Sequence, residues 1–139
     1  LVVLAMAAPR LGGFSRGRVL VSHADTVLAM LHSARDRSAA EAVTYRLVVD
    51  ADKRTCRLHK QQGGRYLPLD TRHRLPEDIQ MVLERLDGAD ADCIEFRPTG
   101  QCTPARLRLT DSSRRGVTLL AETPLEPFRV VSGDREDQP

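Results

Sequence analysis

The chain has 139 residues, 41% of them apolar and 29% charged, with a formal net charge of +2 at neutral pH. That length buries a core without disulfide or metal staples, and a charge this close to neutral makes no electrostatic case for a nucleic-acid partner by itself. Only Lys53 and Lys60 are lysines and the other nineteen basic residues are arginines, a composition suited to bidentate phosphate or carboxylate recognition but equally the mark of a bias that also favours Ala and Asp.

The first residues read LVVLAMAAP. Eight apolar residues before Pro9 are too few to cross a bilayer, which needs about 20. We expect them to be the last turns of a longer membrane and assembly helix, with Leu1, Val2, Val3, Leu4 and Pro9 on its packing surface. Residues 10–18 carry Gly12, Gly13 and Gly17 among three arginines. Each glycine weakens a helix by roughly 1 kcal/mol, so a hinge or a strained helical stretch is expected across this segment.

From residue 19 to 42 the period becomes helical. Leu20, Ala24, Val27, Leu28, Leu31, Ala34, Ser38 and Ala42 recur at three- and four-residue steps and form one apolar stripe. Ser22 with Asp25 has the spacing of a capping box, a place where the helix could restart. Beyond residue 43 the pattern is that of strands. TYRLVVD, TCRLHK and RYLPL alternate or are β-branched and are separated by turn residues, which predicts an antiparallel meander. IQMVLERL is ambiguous between strand and helix. CIEF and ARLRL flank a Pro-Thr-Gly turn and read as a hairpin, and VTLLAE and a strand near 127–131 follow. A polar tail, 132–139, closes the chain. One helix followed by strands predicts an α+β fold, with the helix on an antiparallel sheet in a single globular domain over residues 19–131.

No residues group into a catalytic, cofactor or metal site. The glycine pairs lack phosphate-loop spacing, the serines lack a partner order, and Cys56, Cys93 and Cys102 show no metal spacing. His23 and His32 lie nine apart on the expected helix, on different faces. A Cys93–Cys102 disulfide would cross the hairpin out of register, because the residue opposite Cys93 falls near Ala105. The one candidate contact surface is basic. Arg106 and Arg108 alternate with Leu107 and Leu109, and Arg114 and Arg115 occupy the next turn. If the following strand pairs back, the four form a patch able to touch phosphate. No aromatic residue interleaves with it, which leaves base stacking unsupported. A charged, solvated strand face is the simpler account.

Taken together, the pieces resemble a minor pseudopilin of the GspH/FimT type. The resemblance rests on the apolar run ending at Ala8 and Pro9, on the helix with Leu28, Leu31, Ala34, Arg35 and Ala39, and on Leu75 and Pro76 ahead of a central strand. It rests most on Ile94-Glu95-Phe96-Arg97-Pro98-Thr99-Gly100, which has the family's Ile-x-Phe-x-Pro-x-Gly form. It spans roughly residues 1–131. It implies a pilin fold and a noncatalytic subunit near the tip of a type II secretion pseudopilus, packed against other pseudopilins. It also implies a single-pass inner-membrane anchor with the globular domain in the periplasm. A second implied role is a type IV minor pilin that binds DNA during uptake through arginines in the region of Arg114, Arg115 and Arg129.

Overall fold

A computed structural model of the chain describes the backbone of residues 2–131 and the side chains of residues 17–131. Leu1 and the tail 132–139 lie outside the described residues, as do the side chains of Val2, Val3, Leu4 and Pro9. Helix α1 covers Val2–Glu41 and is followed by eight strands: β1 Tyr45–Asp50, β2 Thr55–Gln62, β3 Arg65–Arg74, β4 Gln80–Arg85, β5 Cys93–Phe96, β6 Ala105–Thr110, β7 Gly116–Ala121 and β8 Arg129–Val131. The α+β reading is therefore correct, and the ambiguous IQMVLERL segment is strand.

The described helix runs from Val2 and stays helical through Gly12, Gly13 and Gly17, so the apolar run and the stripe belong to one helix and the glycines do not interrupt it. At Ser22 it does not restart. The carbonyl of Ser22 accepts a hydrogen bond from Thr26 Oγ1 at 3.1 Å inside the continuous helix. Of the expected stripe, Leu20, Ala24, Val27, Leu31, Ala34 and Ser38 are buried, with Met30 added to them, while Leu28 is partly buried and Ala42, beyond the end of the helix, is exposed. The helix stops where Ala42 takes a left-handed φ of 56° and Val43 N–H reaches back to the Ser38 carbonyl at 3.2 Å. This is the hydrogen-bond pattern of a Schellman ending.

The strands form two antiparallel four-stranded sheets, ordered β3-β2-β1-β5 and β4-β6-β7-β8. The meander β1–β2–β3 is as expected. Its second turn places Gly63 and Gly64 at φ 58° and 79°, the mirror-image turn that fits the twist of paired strands. Side chains alternate along β1, β5 and β6, while β7 is buried at five of its six positions. Tyr45, Leu47, Val49, Cys56, Leu58, Ile94 and Phe96 from one sheet, and Met81, Ala105, Leu107, Leu109, Leu119 and Ala121 from the other, meet the helix stripe in a single core.

The expected hairpin between CIEF and ARLRL does not form. β5 pairs with β1, aligning Phe96 with Tyr45 and Cys93 with Val48, while β6 pairs with β4 and β7. Only an isolated bridge joins Phe96 to Cys102. Thr103 extends this local pairing, its N–H donating to the Glu95 carbonyl at 2.9 Å and its Oγ1 accepting from Glu95 N–H at 3.1 Å. Pro104 has no N–H to carry a ladder further. Its carbonyl instead takes the N–H of Leu86, just past β4, at 2.9 Å. The chain thus changes sheets at Thr103 and Pro104. The three cysteines are free thiols, so the Cys93–Cys102 bridge considered from the sequence is absent.

Candidate assembly surfaces

Four helix residues, Ser38, Glu41, His23 and His32, tie the helix to the rest of the domain and fix which faces remain outward. Ser38 is fully buried, with Oγ 2.7 Å from the Val43 carbonyl and 2.9 Å from the Phe96 carbonyl, so one hydroxyl proton serves two acceptors on the helix exit and β5. Glu41 accepts from Lys60 Nζ at 2.6 Å and from Tyr45 Oη at 2.7 Å. Those hydrogen bonds, the lysine's first, hold its carboxyl below the usual range. Further down the helix, His23 Nδ1 lies 2.8 Å from His73 Nε2 on β3, and His32 Nε2 lies 2.9 Å from the Phe128 carbonyl. His23 and His32 thus serve separate contacts, consistent with their different helix faces.

With the stripe turned inward, the opposite side of the helix faces out. Val19 and Val21 are 43% and 50% exposed. Gly17, Arg18, Val21, Ser22, Asp25, Thr26 and Ala29 line a shallow, mainly apolar groove of about 820 Å³, with Arg115 at its wall. A Cβ at Gly17 would stand 3.0 Å from Arg115 Nη1, so glycine is what lets that guanidinium lie against the helix. Sequence periodicity identifies the buried stripe but gives no signal for this groove, because Arg115 joins the helix only through the tertiary fold.

The four arginines of the expected basic patch are placed as follows. Arg106 and Arg108 point outward from β6, and the strand after them does pair back, with Arg106 aligned to Leu120 and Arg108 to Thr118. Arg106 is ion-paired to Glu84 of β4 at 2.9 Å. Arg108 packs beside Gly116, where a Cβ would come within 3.2 Å of its guanidinium. Arg114 sits exposed in the β6–β7 turn with φ 62°. Arg115 is 3.8 Å from Asp111 Oδ2. Asp111 also organises that turn, its Oδ1 accepting from the N–H groups of Ser113 and Arg115 at 2.9 and 3.0 Å. Arg129 is held between Glu122 and Glu126 at 3.2 and 3.1 Å. The arginines therefore share one region, but carboxylates accompany Arg106, Arg115 and Arg129. The row Glu84, Arg106, Leu120, Arg129 runs across the sheet in register, and Leu120, on the outward face, is only 7% exposed. Long arginine stems flanking an apolar residue are a structural use of these side chains.

The outward face of the other sheet is also self-satisfied. Arg46 donates from Nε to Glu95 Oε1 at 2.8 Å and its guanidinium carbon lies 3.6 Å from the Tyr66 ring centroid, a cation–π contact. Arg57 Nε donates to the Leu69 carbonyl at 2.6 Å. In the 94–100 segment, Ile94 and Phe96 are buried in the core. Pro98 lies in the turn beyond them, which Gly100 closes at φ 89° with its N–H donating to the Arg97 carbonyl at 3.0 Å. Among the described residues, no cluster of three or more His, Cys, Asp or Glu forms a metal-binding group.

A long helix whose C-terminal part closes over two antiparallel sheets is also the architecture of several solved proteins. The minor pseudopilin EpsH from the type 2 secretion system of Vibrio cholerae superposes with a TM-score of 0.68 at 14% identity, over 81% of this chain and 94% of that one. The fold is pilin-like. The type IV minor pilin FimU of Pseudomonas aeruginosa strain PAO1 matches with a TM-score of 0.65 at 15% identity, over 91% and 96% of the two chains. GspH of E. coli matches with 0.62 at 18% identity, over 90% and 93%. No family model matches the chain, and no curated protein sequence matches it. The pilin-like fold places Ile94, Phe96, Pro98 and Gly100 at the edge strand and the turn that leads to the second sheet, a structural position.

Proposed function

We propose that this chain is a noncatalytic minor pseudopilin that works by assembly in a type II secretion pseudopilus, with its globular domain in the periplasm and its N-terminal helix at the inner membrane. The observation that carries this reading is the division of α1. Its C-terminal part buries a stripe in the domain, while the helix continues back to Val2 and leaves an apolar groove and Val19 and Val21 outward. A helix used twice, once by its own domain and once by neighbours, fits a filament subunit. The likeness to EpsH, GspH and FimU supports the same reading at the level of fold. Among the described residues no helix is long and apolar enough to cross a membrane, so the membrane placement rests on the pseudopilin reading.

Site-directed crosslinking tests the proposal. Val21→Cys, exposed in the groove, is expected to crosslink to a neighbouring pseudopilin in cells with an active secretion system, and an exposed control such as Asp52→Cys on the β1–β2 turn is not. A Val21→Cys variant that is made, folded and yields no adduct with a pilin or pseudopilin would sink it. DNA binding by a type IV minor pilin is the weaker reading, because carboxylates accompany Arg106 and Arg115. Gel-shift titration at two salt concentrations separates the readings, since phosphate binding strengthens steeply as salt falls.

A further inference from the structure

The contact between His23 and His73 links the middle of the helix to the first sheet by polar side chains. The two nitrogens are 2.8 Å apart and the rings tilt at 43° with centroids 5.0 Å apart. Both side chains are half-buried, and the residues are fifty apart in sequence. With both rings neutral, one N–H donates to the other ring's lone pair. One added proton keeps a hydrogen bond but places a charge in a half-buried site. A second leaves two N–H groups facing each other between like charges.

We propose that His23 and His73 form a pH-sensitive latch that holds α1 to the β2–β3 hairpin at neutral pH and releases it in acid. The surroundings support this direction. From β2, Cys56 stands opposite His73 in the strand register. Its thiol is pushed up to about 12 by burial, so it stays uncharged and offers imidazolium no counter-ion. On β3 the flanking Arg72 and Arg74 are exposed and alternate onto the other face. From the β1–β2 turn, Arg54 brings positive charge and not a counter-ion, its carbonyl holding Leu75 N–H at 2.8 Å. On the helix, Arg18 and Asp25 are exposed and lie off the inward stripe. Among the described residues no carboxylate is ion-paired to either ring, and burial followed by the charge of His23 pulls His73 below its ordinary value. A histidine whose folded value is depressed is neutral in the native state. Its contribution is whole above the unfolded value near 6.5 and is lost as pH falls through it.

Hydrogen exchange and NMR on the 139-residue chain test the latch. Between pH 7.5 and 5.5, after correction for intrinsic exchange, opening of β3 amides is expected to rise, the direction set by a histidine that is neutral in the folded state, while amides of β6 and β7 change little. His23→Gln, whose amide hydrogen-bonds without titrating, is expected to reduce that acid response, because the ring-to-ring contact is lost while the burial of His73 remains. His59→Gln on the outward face of the same sheet is expected to leave the part that depends on His23. An acid response of β3 undiminished in His23→Gln, or no response in the wild type, overturns the proposal. Ring-proton titration of the wild type needs no variant to fold: a His73 ring that titrates below its ordinary value supports the latch, and one that titrates at that value overturns it.

Discussion

At the scale of single residues, the fold depends on polar side chains buried with their partners. Ser38 looks from sequence like a small residue tolerated in an apolar stripe, and burial of the stripe is legible from its spacing. Its second role is not. The two carbonyls it serves belong to Val43 and Phe96, and a partner 58 residues away leaves no mark on local periodicity. Ser38→Ala is expected to lower the unfolding free energy by about 1–3 kcal/mol, because two buried acceptors lose their shared donor while little volume changes. Urea denaturation with an unchanged slope and a lower midpoint is the measurement, and a variant as stable as wild type would show that water replaces the hydroxyl. The same limit applies to the arginines. Alternation shows that Arg106 and Arg108 face outward, but not that Glu84 stands across from Arg106, so charge read along the chain overstates the positive field of this face.

At the scale of elements, the helix, the individual strands and the β1–β2–β3 and β6–β7 pairings were legible, and the partners of β4 and β5 were not. A 3.6-residue period identifies the helix stripe, period-two alternation identifies β2 and β6, and runs of β-branched or apolar residues identify β1 and β7. The misplaced features each involve competition that local pattern cannot decide. Gly12, Gly13 and Gly17 weaken a helix without forbidding it, and a propensity penalty of about 1 kcal/mol each is smaller than what a long cooperative helix sustains. CIEF and ARLRL have hairpin spacing and a turn between them, yet Pro104 interrupts their ladder and β1 offers β5 a longer partner. The helix C-terminus is the element with room for improvement. Ala42 occupies a left-handed conformation that costs an L-residue about 1 kcal/mol or more and is exposed, so no packing is lost on truncation. Ala42→Gly is expected to stabilise by about 0.5–1 kcal/mol, the strain relieved less the greater freedom of glycine in the unfolded chain. Thermal unfolding at neutral pH would reveal it as a rise in midpoint of a few degrees, and a fall would show that the Schellman turn is not strained.

For the whole molecule, stability is expected to depend on pH in two windows. His59 is pulled down by burial and then by Arg57, and His73 by burial and then by His23. Both are neutral in the folded state, so the unfolded chain binds more protons below about pH 6.5 and stability falls there. Glu41 and Asp87 are lowered, chiefly by hydrogen bonds from Lys60 and Arg85. As depressed carboxylates they stabilise above their unfolded values and lose that contribution as pH drops through the folded ones. Both are exposed, so their share is the smaller. The urea midpoint is expected to be flat between pH 7 and 8, to decline below about 6.5 and to decline again below about 4.5. A midpoint constant from pH 8 to 5 would contradict the histidine assignment.

The exchange of sheets at Thr103 and Pro104 has a consequence for how the molecule is made. One sheet takes β1, β2, β3 and β5, and the other takes β4, β6, β7 and β8, so the two sets of strands interleave along the chain. Cutting after β3 leaves the first sheet without its β5 edge, and cutting after β5 leaves β4 without its partner. A ribosome emitting this chain from its N-terminus therefore cannot complete either sheet before part of the other has emerged. Loop closure from β1 to β5 and from β4 to β6 sets a topology rich in distant pairings, the kind that folds late and as one unit.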